Sequence, residues 1–134
     1  MMKKIIFFII LLFSISSSLK AASFSWTKIV ETASGSTEFY IDKKTVFGFE
    51  KFKYYWQLSD YLKDYEEIRS VITHNVINCD TQEQKMLSFT GYSKNMAKGD
   101  IIANATSNEL EDTWDYYENS SSIGMLMKHV CNMR

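Results

Sequence analysis

The chain has no proline in 134 residues, 5 glycines, 2 cysteines and 2 histidines. Without proline, no strand or helix is interrupted by a missing backbone donor, so boundaries must come from turn residues. The two histidines and two cysteines form no cluster in sequence, and H-E-x-x-H and C-x-x-C are both missing, so no zinc site is expected. G-x-S-x-G is missing too, and the one S-x-x-K, Ser17 to Lys20, falls in an amino-terminal leader. With this empty motif list the chain is read as not an enzyme, and no cofactor is implied. Acidic residues such as Asp60, Asp64, Glu66, Glu67, Asp112 and Asp115 are read as a solvated surface.

A long apolar run is also lacking. Ile5 to Phe13 is unbroken apolar sequence, but Ser14 to Leu19 is softened by serines. A spanning helix needs about 20 mostly apolar residues. Met1-Met2-Lys3-Lys4, the short apolar centre and Lys20-Ala21-Ala22 instead match a secretory signal peptide over residues 1–22. Cleavage is expected after Ala21 or Ala22, leaving one domain over residues 23–134 with no membrane anchor, located in the periplasm or secreted. No cysteine near the junction offers a lipid attachment point. Processing removes Lys3, Lys4 and Lys20, leaving 12 basic against 16 acidic side chains and a net charge of −4. That balance argues against nucleic acid and anionic lipid as partners.

What is present is mostly aromatic. There are 9 Phe, 8 Tyr and 3 Trp, 15% of the chain, within 46% apolar and 23% charged residues. Those proportions exclude a disordered, collagenous or coiled-coil chain and favour strands. Lys51 to Tyr61 is the clearest case. Phe52, Tyr54, Trp56 and Leu58 alternate with Lys53, Tyr55, Gln57 and Ser59, the period of a half-buried strand with its apolar side inward. Strands are also expected at Phe24–Val30, with Phe24, Trp26 and Val30 on one side, and at Thr37–Asp42. A strand at Thr45–Phe49 would be broken by Gly48. Ile68–Cys79 and Lys85–Ser93 follow, the latter with Leu87 and Phe89 facing one way. Residues 94–113 read as an irregular excursion with a short strand at Ile101-Ile102, and Trp114–Tyr117 as a short strand or an anchor.

The period then changes. Ile123, Leu126, Met127, Val130 and Cys131 form one stripe of an amphipathic helix, with Ser121 or Ser122 as its cap. Met125-x-Met127-x-His129 offers soft thioethers and an imidazole, but on a helix Met127 leaves the face shared by the other two, so helix packing is the simpler reading. Cys79 and Cys131 are read as one disulfide, from the even count in an exported domain and from Cys131's place on the stripe. The rival is a pair of buried thiols in a reducing compartment. The fold class is α+β: an antiparallel sheet of about six strands with one carboxy-terminal helix packed on one face.

Trp26, Tyr40-Ile41-Asp42 after a glycine turn and Trp56-x-Leu58-x-Asp60-Tyr61 occur in order. Ser70, Asn78-Cys79, Tyr92-Ser93 with Met96 and Gly99, then Trp114, Ser122 and Val130-Cys131 follow. In that order the chain resembles the bacterial surface-adhesin protein E family. The resemblance implies about six antiparallel strands with a helix tethered by the Cys pair, and binding of host extracellular-matrix proteins. Two functional readings follow. The first is an exported, non-catalytic binding module contacting another protein through its aromatic face, with a homodimer as one form of that contact. The alternative is a soluble periplasmic protein holding a small apolar or metal ligand between sheet and helix, in a pocket lined by Tyr54, Trp56 and Met127. Tyr54 and Trp56 are the candidate ligand-binding residues under either.

Overall fold

In the computed structural model, residues 23–63 and 67–134 are described, and the expected signal peptide lies outside them. The elements are β1 (Trp26–Glu31), β2 (Thr37–Asp42), β3 (Phe47–Phe49), β4 (Phe52–Tyr61), β5 (Ser70–Asn78), β6 (Glu83–Lys94), β7 (Lys98–Ala105), β8 (Asp115–Tyr116) and α1 (Ser122–Cys131). Six strands form an antiparallel sheet in the order β1-β2-β4-β5-β6-β7. The short strands β3 and β8 extend it by pairing with β4 and β6. This is the expected α+β class.

α1 starts where the sequence places it. The Ser121 hydroxyl accepts from Gly124 N at 3.0 Å, which satisfies one of the free N–H groups of the first turn. Gly124 is needed there, since a Cβ would stand 1.8 Å from the carbonyl oxygen of Glu118. Leu126, Met127 and Val130 are at most 1% exposed and pack on Phe39, Ile41, Tyr55 and Ile77. The Cys79–Cys131 disulfide joins the end of β5 to the end of the helix, with Cα atoms 5.9 Å apart. Lys53 Nζ donates to the Met133 carbonyl at 2.8 Å and holds the last turn against β4.

The helix covers the side of the sheet that the apolar alternation of β4 does not favour. Tyr55 lies under α1 with no exposure, so Lys53, Gln57 and Ser59 share the covered face. Phe52, Tyr54, Trp56 and Leu58 lie on the other face, which corrects the inward assignment of the three rings, while Leu58 is buried on that side. The reason is that coverage depends on what every strand offers. On this side β2 supplies Phe39 and Ile41 and β5 supplies Ile77, all 9% exposed or less.

Two bulges correct two further expectations. Between Lys28 and Val30 the register of β1 slips against β2, so Val30 faces the helix while Trp26 stays on the opposite face. A slip in β6 against β5 does the same to Leu87 and Phe89. Gly48 does not break β3, which pairs through it with Lys53.

The excursion at 94–113 is also corrected, since β7 runs for eight residues. A buried carboxylate makes its turn possible. Asp60, 3% exposed, accepts from Asn95 Nδ2 at 3.0 Å and from Met96 N at 2.9 Å. Those bonds hold Met96 and Ala97 at φ 57°, a left-handed geometry unfavourable for residues with a Cβ.

Candidate functional site

The covered face is closed by polar pairing as well as by the helix. Tyr55 donates its hydroxyl proton to Gln57 or Gln84, whose Oε1 atoms both lie within hydrogen-bond reach. It has one proton, so one of the two amides must turn its NH2 group toward the phenol. Gln57 Nε2 continues to Ser59 Oγ at 3.0 Å, and Asn75 Nδ2 to Thr73 Oγ1 at 2.9 Å. Burial pushes the Tyr55 hydroxyl pKa far up, so it stays a neutral donor. Apart from the Oδ1 of Asn75, which is buried without a partner, these groups serve one another and present little to a ligand. Along the helix, a small hollow of about 200 Å³ beside the disulfide is lined by Ile77, Cys79, Gln82, Met127, Lys128 and Cys131, among others.

The opposite face is a row of rings. Trp56 and His74 are directly opposite across β4 and β5 and stack with centroids 4.3 Å apart and planes at 8°. Phe24 lies 5.2 Å from Trp56 and stacks on Trp26 at 4.8 Å. Tyr54 adjoins His74 at 6.4 Å and Phe47 at 6.2 Å. Further along, Phe52 meets Trp114 at 6.1 Å, and Lys85 Nζ sits 5.0 Å over that indole while pairing with Asp112 at 2.8 Å.

No helix lies over this row, so its members keep contact with solvent. Trp56, Tyr54, Phe52 and His74 are half-buried, while Phe47 and Phe49 are both 61% exposed. Thr45, Phe47, Phe49, Tyr54 and His74 line an open groove of about 480 Å³. Partial burial lowers the His74 pKa, because desolvation disfavours the charged ring. The imidazole in the stack is therefore neutral near pH 7.

Tyr54 and Trp56 are brought together here, but Met127 is not. It is 1% exposed under the helix on the other side of the sheet, so the pocket expected from these three residues does not form. Met125 is 44% exposed and Met127 buried, which separates the two thioethers of the Met-x-Met-x-His pattern. No group of three or more His, Cys, Asp or Glu that could hold a metal occurs among the described residues. Sequence reasoning missed His74, Phe47 and Phe49 as members of the row. The β4–β5 register would have found His74, and the F-G-F-E-K-F alternation around a two-residue turn would have found the phenylalanines.

The pattern of the surface-adhesin protein E family matches residues 26–132. The fold is similar to Haemophilus influenzae protein E, with a TM-score of 0.56 at 13% identity over 83% of this chain and 86% of that one. A second crystal form of that protein gives 0.55 at 11% identity over 83% and 90%. No curated protein matches the chain in sequence. Among the described residues, no helix is long and apolar enough to cross a membrane.

Proposed function

The chain belongs to the surface-adhesin protein E family, and from that premise we propose that this surface adhesin-like binding protein is exported, is not a catalyst and contacts a partner protein through its uncovered aromatic face. The observation that carries the reading is the contrast in cover. One face of the sheet is sealed by α1, and the other keeps Trp26, Tyr54, Trp56 and His74 in contact with water. Aromatic rings exposed in a contiguous row mark interaction surfaces, and tryptophan and tyrosine dominate binding energy where they are buried by a partner. The leader supports export to the periplasm or the medium. Family resemblance makes host extracellular-matrix proteins the first partners to try. The small-ligand alternative loses its pocket with the separation of Tyr54 and Trp56 from Met127.

The test is solid-phase binding of the processed chain to a panel of extracellular-matrix proteins, beside its Trp56→Ala and Tyr54→Ala variants. Folding is checked by circular dichroism. The expected result is binding to at least one member and a loss of tenfold or more in folded Trp56→Ala, an effect of about 1.4 kcal/mol. Full binding by both variants would remove the aromatic face from the site. Sedimentation of the same samples decides whether the face is used by a second copy.

A further inference from the structure

The β3–β4 hairpin departs from the rest of the chain in charge. From Lys43 to Lys51 it reads Lys-Lys-Thr-Val-Phe-Gly-Phe-Glu-Lys, with three lysines against one glutamate. That is +2 within a processed chain of net −4, so the overall acidity conceals a local cationic segment. Every residue from Lys43 to Lys51 except Val46 is exposed. None of the three lysines forms an ion pair among the described residues. Phe47 and Phe49 stand on the same side of a three-residue strand, each 61% exposed, and Lys51 Nζ lies 5.5 Å over the neighbouring Phe52 ring.

Three exposed lysines without ion pairs are poorly suited to the centre of a protein interface. Lysine is depleted there, because its ammonium must be desolvated against a fixed surface. Aromatic rings flanked by lysines suit the boundary of a lipid bilayer, where the rings enter the headgroup region and the ammonium groups stay among phosphates. We infer that the Lys43–Lys51 hairpin docks on an anionic phospholipid surface, with Phe47 and Phe49 inserted and Lys43, Lys44 and Lys51 on the headgroups. This contact is peripheral and reversible. Phe47 and Phe49 border the open row through Tyr54 and His74, but Trp26 and Trp56 take no part in the lipid contact, so variants at Trp56 separate the two readings.

The probe is a set of vesicles, phosphatidylglycerol with phosphatidylethanolamine against pure phosphatidylcholine. The protein is residues 23–134, a chain that retains every described element. Co-sedimentation is expected with the anionic vesicles only, and raised salt should weaken it. Phe47→Ser with Phe49→Ser should reduce the bound fraction at least about tenfold. Each of Lys43→Gln and Lys44→Gln should reduce it about fivefold. Trp56→Ala should leave vesicle binding unchanged. No sedimentation with anionic vesicles would overturn the inference, and so would equal sedimentation with phosphatidylcholine. A loss in Trp56→Ala as large as in the phenylalanine pair would also overturn it. If the hairpin variants lose matrix-protein binding and keep vesicle binding, the hairpin belongs to the protein site instead.

Discussion

Neighbouring residues on one strand meet opposite fates. Tyr55 has no exposure, lies beneath α1 and is bound to buried amides, whereas Tyr54 and Trp56 on either side of it face an uncovered surface. Strand geometry makes the separation unavoidable, since successive side chains leave a sheet in opposite directions. The contrast lies in the rings, because the open face buries Leu58, Ile72 and Val76 but leaves its aromatic row half-exposed. Seven residues of the covered face and helix form a single apolar cluster at 9% exposure or less, clamped by the disulfide. The open face instead stacks its rings against one another in a row, leaving surface available for a partner.

The largest effect should come from the clamp. Cys131→Ser opens a loop whose ends are 52 residues apart in sequence. In the chain-entropy account this lowers stability by about 4 kcal/mol. Chemical denaturation monitored by tryptophan fluorescence checks it, and an unchanged midpoint would mean that packing alone holds the helix. Next is Tyr55→Phe. The ring stays, but the hydroxyl that serves Gln57 and Gln84 is lost, and a buried amide goes unpaired. A loss of about 2 kcal/mol is expected. A neutral outcome would show that the two amides can satisfy each other.

Much of this layout is readable before any coordinates. The stripe from Ile123 to Cys131, the Ser121 cap and an even pair of cysteines specify a capped helix pinned to a strand. Each signal is local or is a simple count. Which face that helix covers is not local. Phe52, Tyr54, Trp56 and Leu58 make the more apolar side of β4, yet Phe39, Ile41 and Ile77 on other strands attract the helix to the side of Tyr55. Bulges at β1 and β6 reverse the alternation partway along, and nothing in the residue types there announces them. Strand β7 is hidden for a different reason. Its small polar residues carry a weak strand signal, and its turn depends on Asp60, 36 residues before Met96. The site divides in the same way. Tyr54 and Trp56 stand out as aromatic members of one strand, while His74 joins them only through cross-strand register.

Substitutions at the exposed rings of the open face should cost far less than those under the helix. Phe47→Ser removes a ring that is 61% exposed, so the stability change should stay within about 0.5 kcal/mol. Thermal melting of this variant beside Tyr55→Phe compares the two faces directly. A loss from Phe47→Ser equal to that from Tyr55→Phe would mean that the open row also acts as a core.

The smallest effect is a pH dependence confined to the open face. Desolvation lowers the folded-state pKa of His74 below its ordinary value of 6.5. The unfolded chain therefore binds more protons than the folded one between those two values, and stability rises with pH in that window. The contribution is fully present above 6.5 and is lost as pH falls through the folded value, where the imidazole stacked on Trp56 gains a charge. His74→Gln should flatten the slope of stability below pH 6.5. The difference between wild type and His74→Gln isolates the ring. If the slope survives His74→Gln, the histidine is better solvated than its stack with Trp56 implies, and the open row is looser than its 4.3 Å ring spacing suggests.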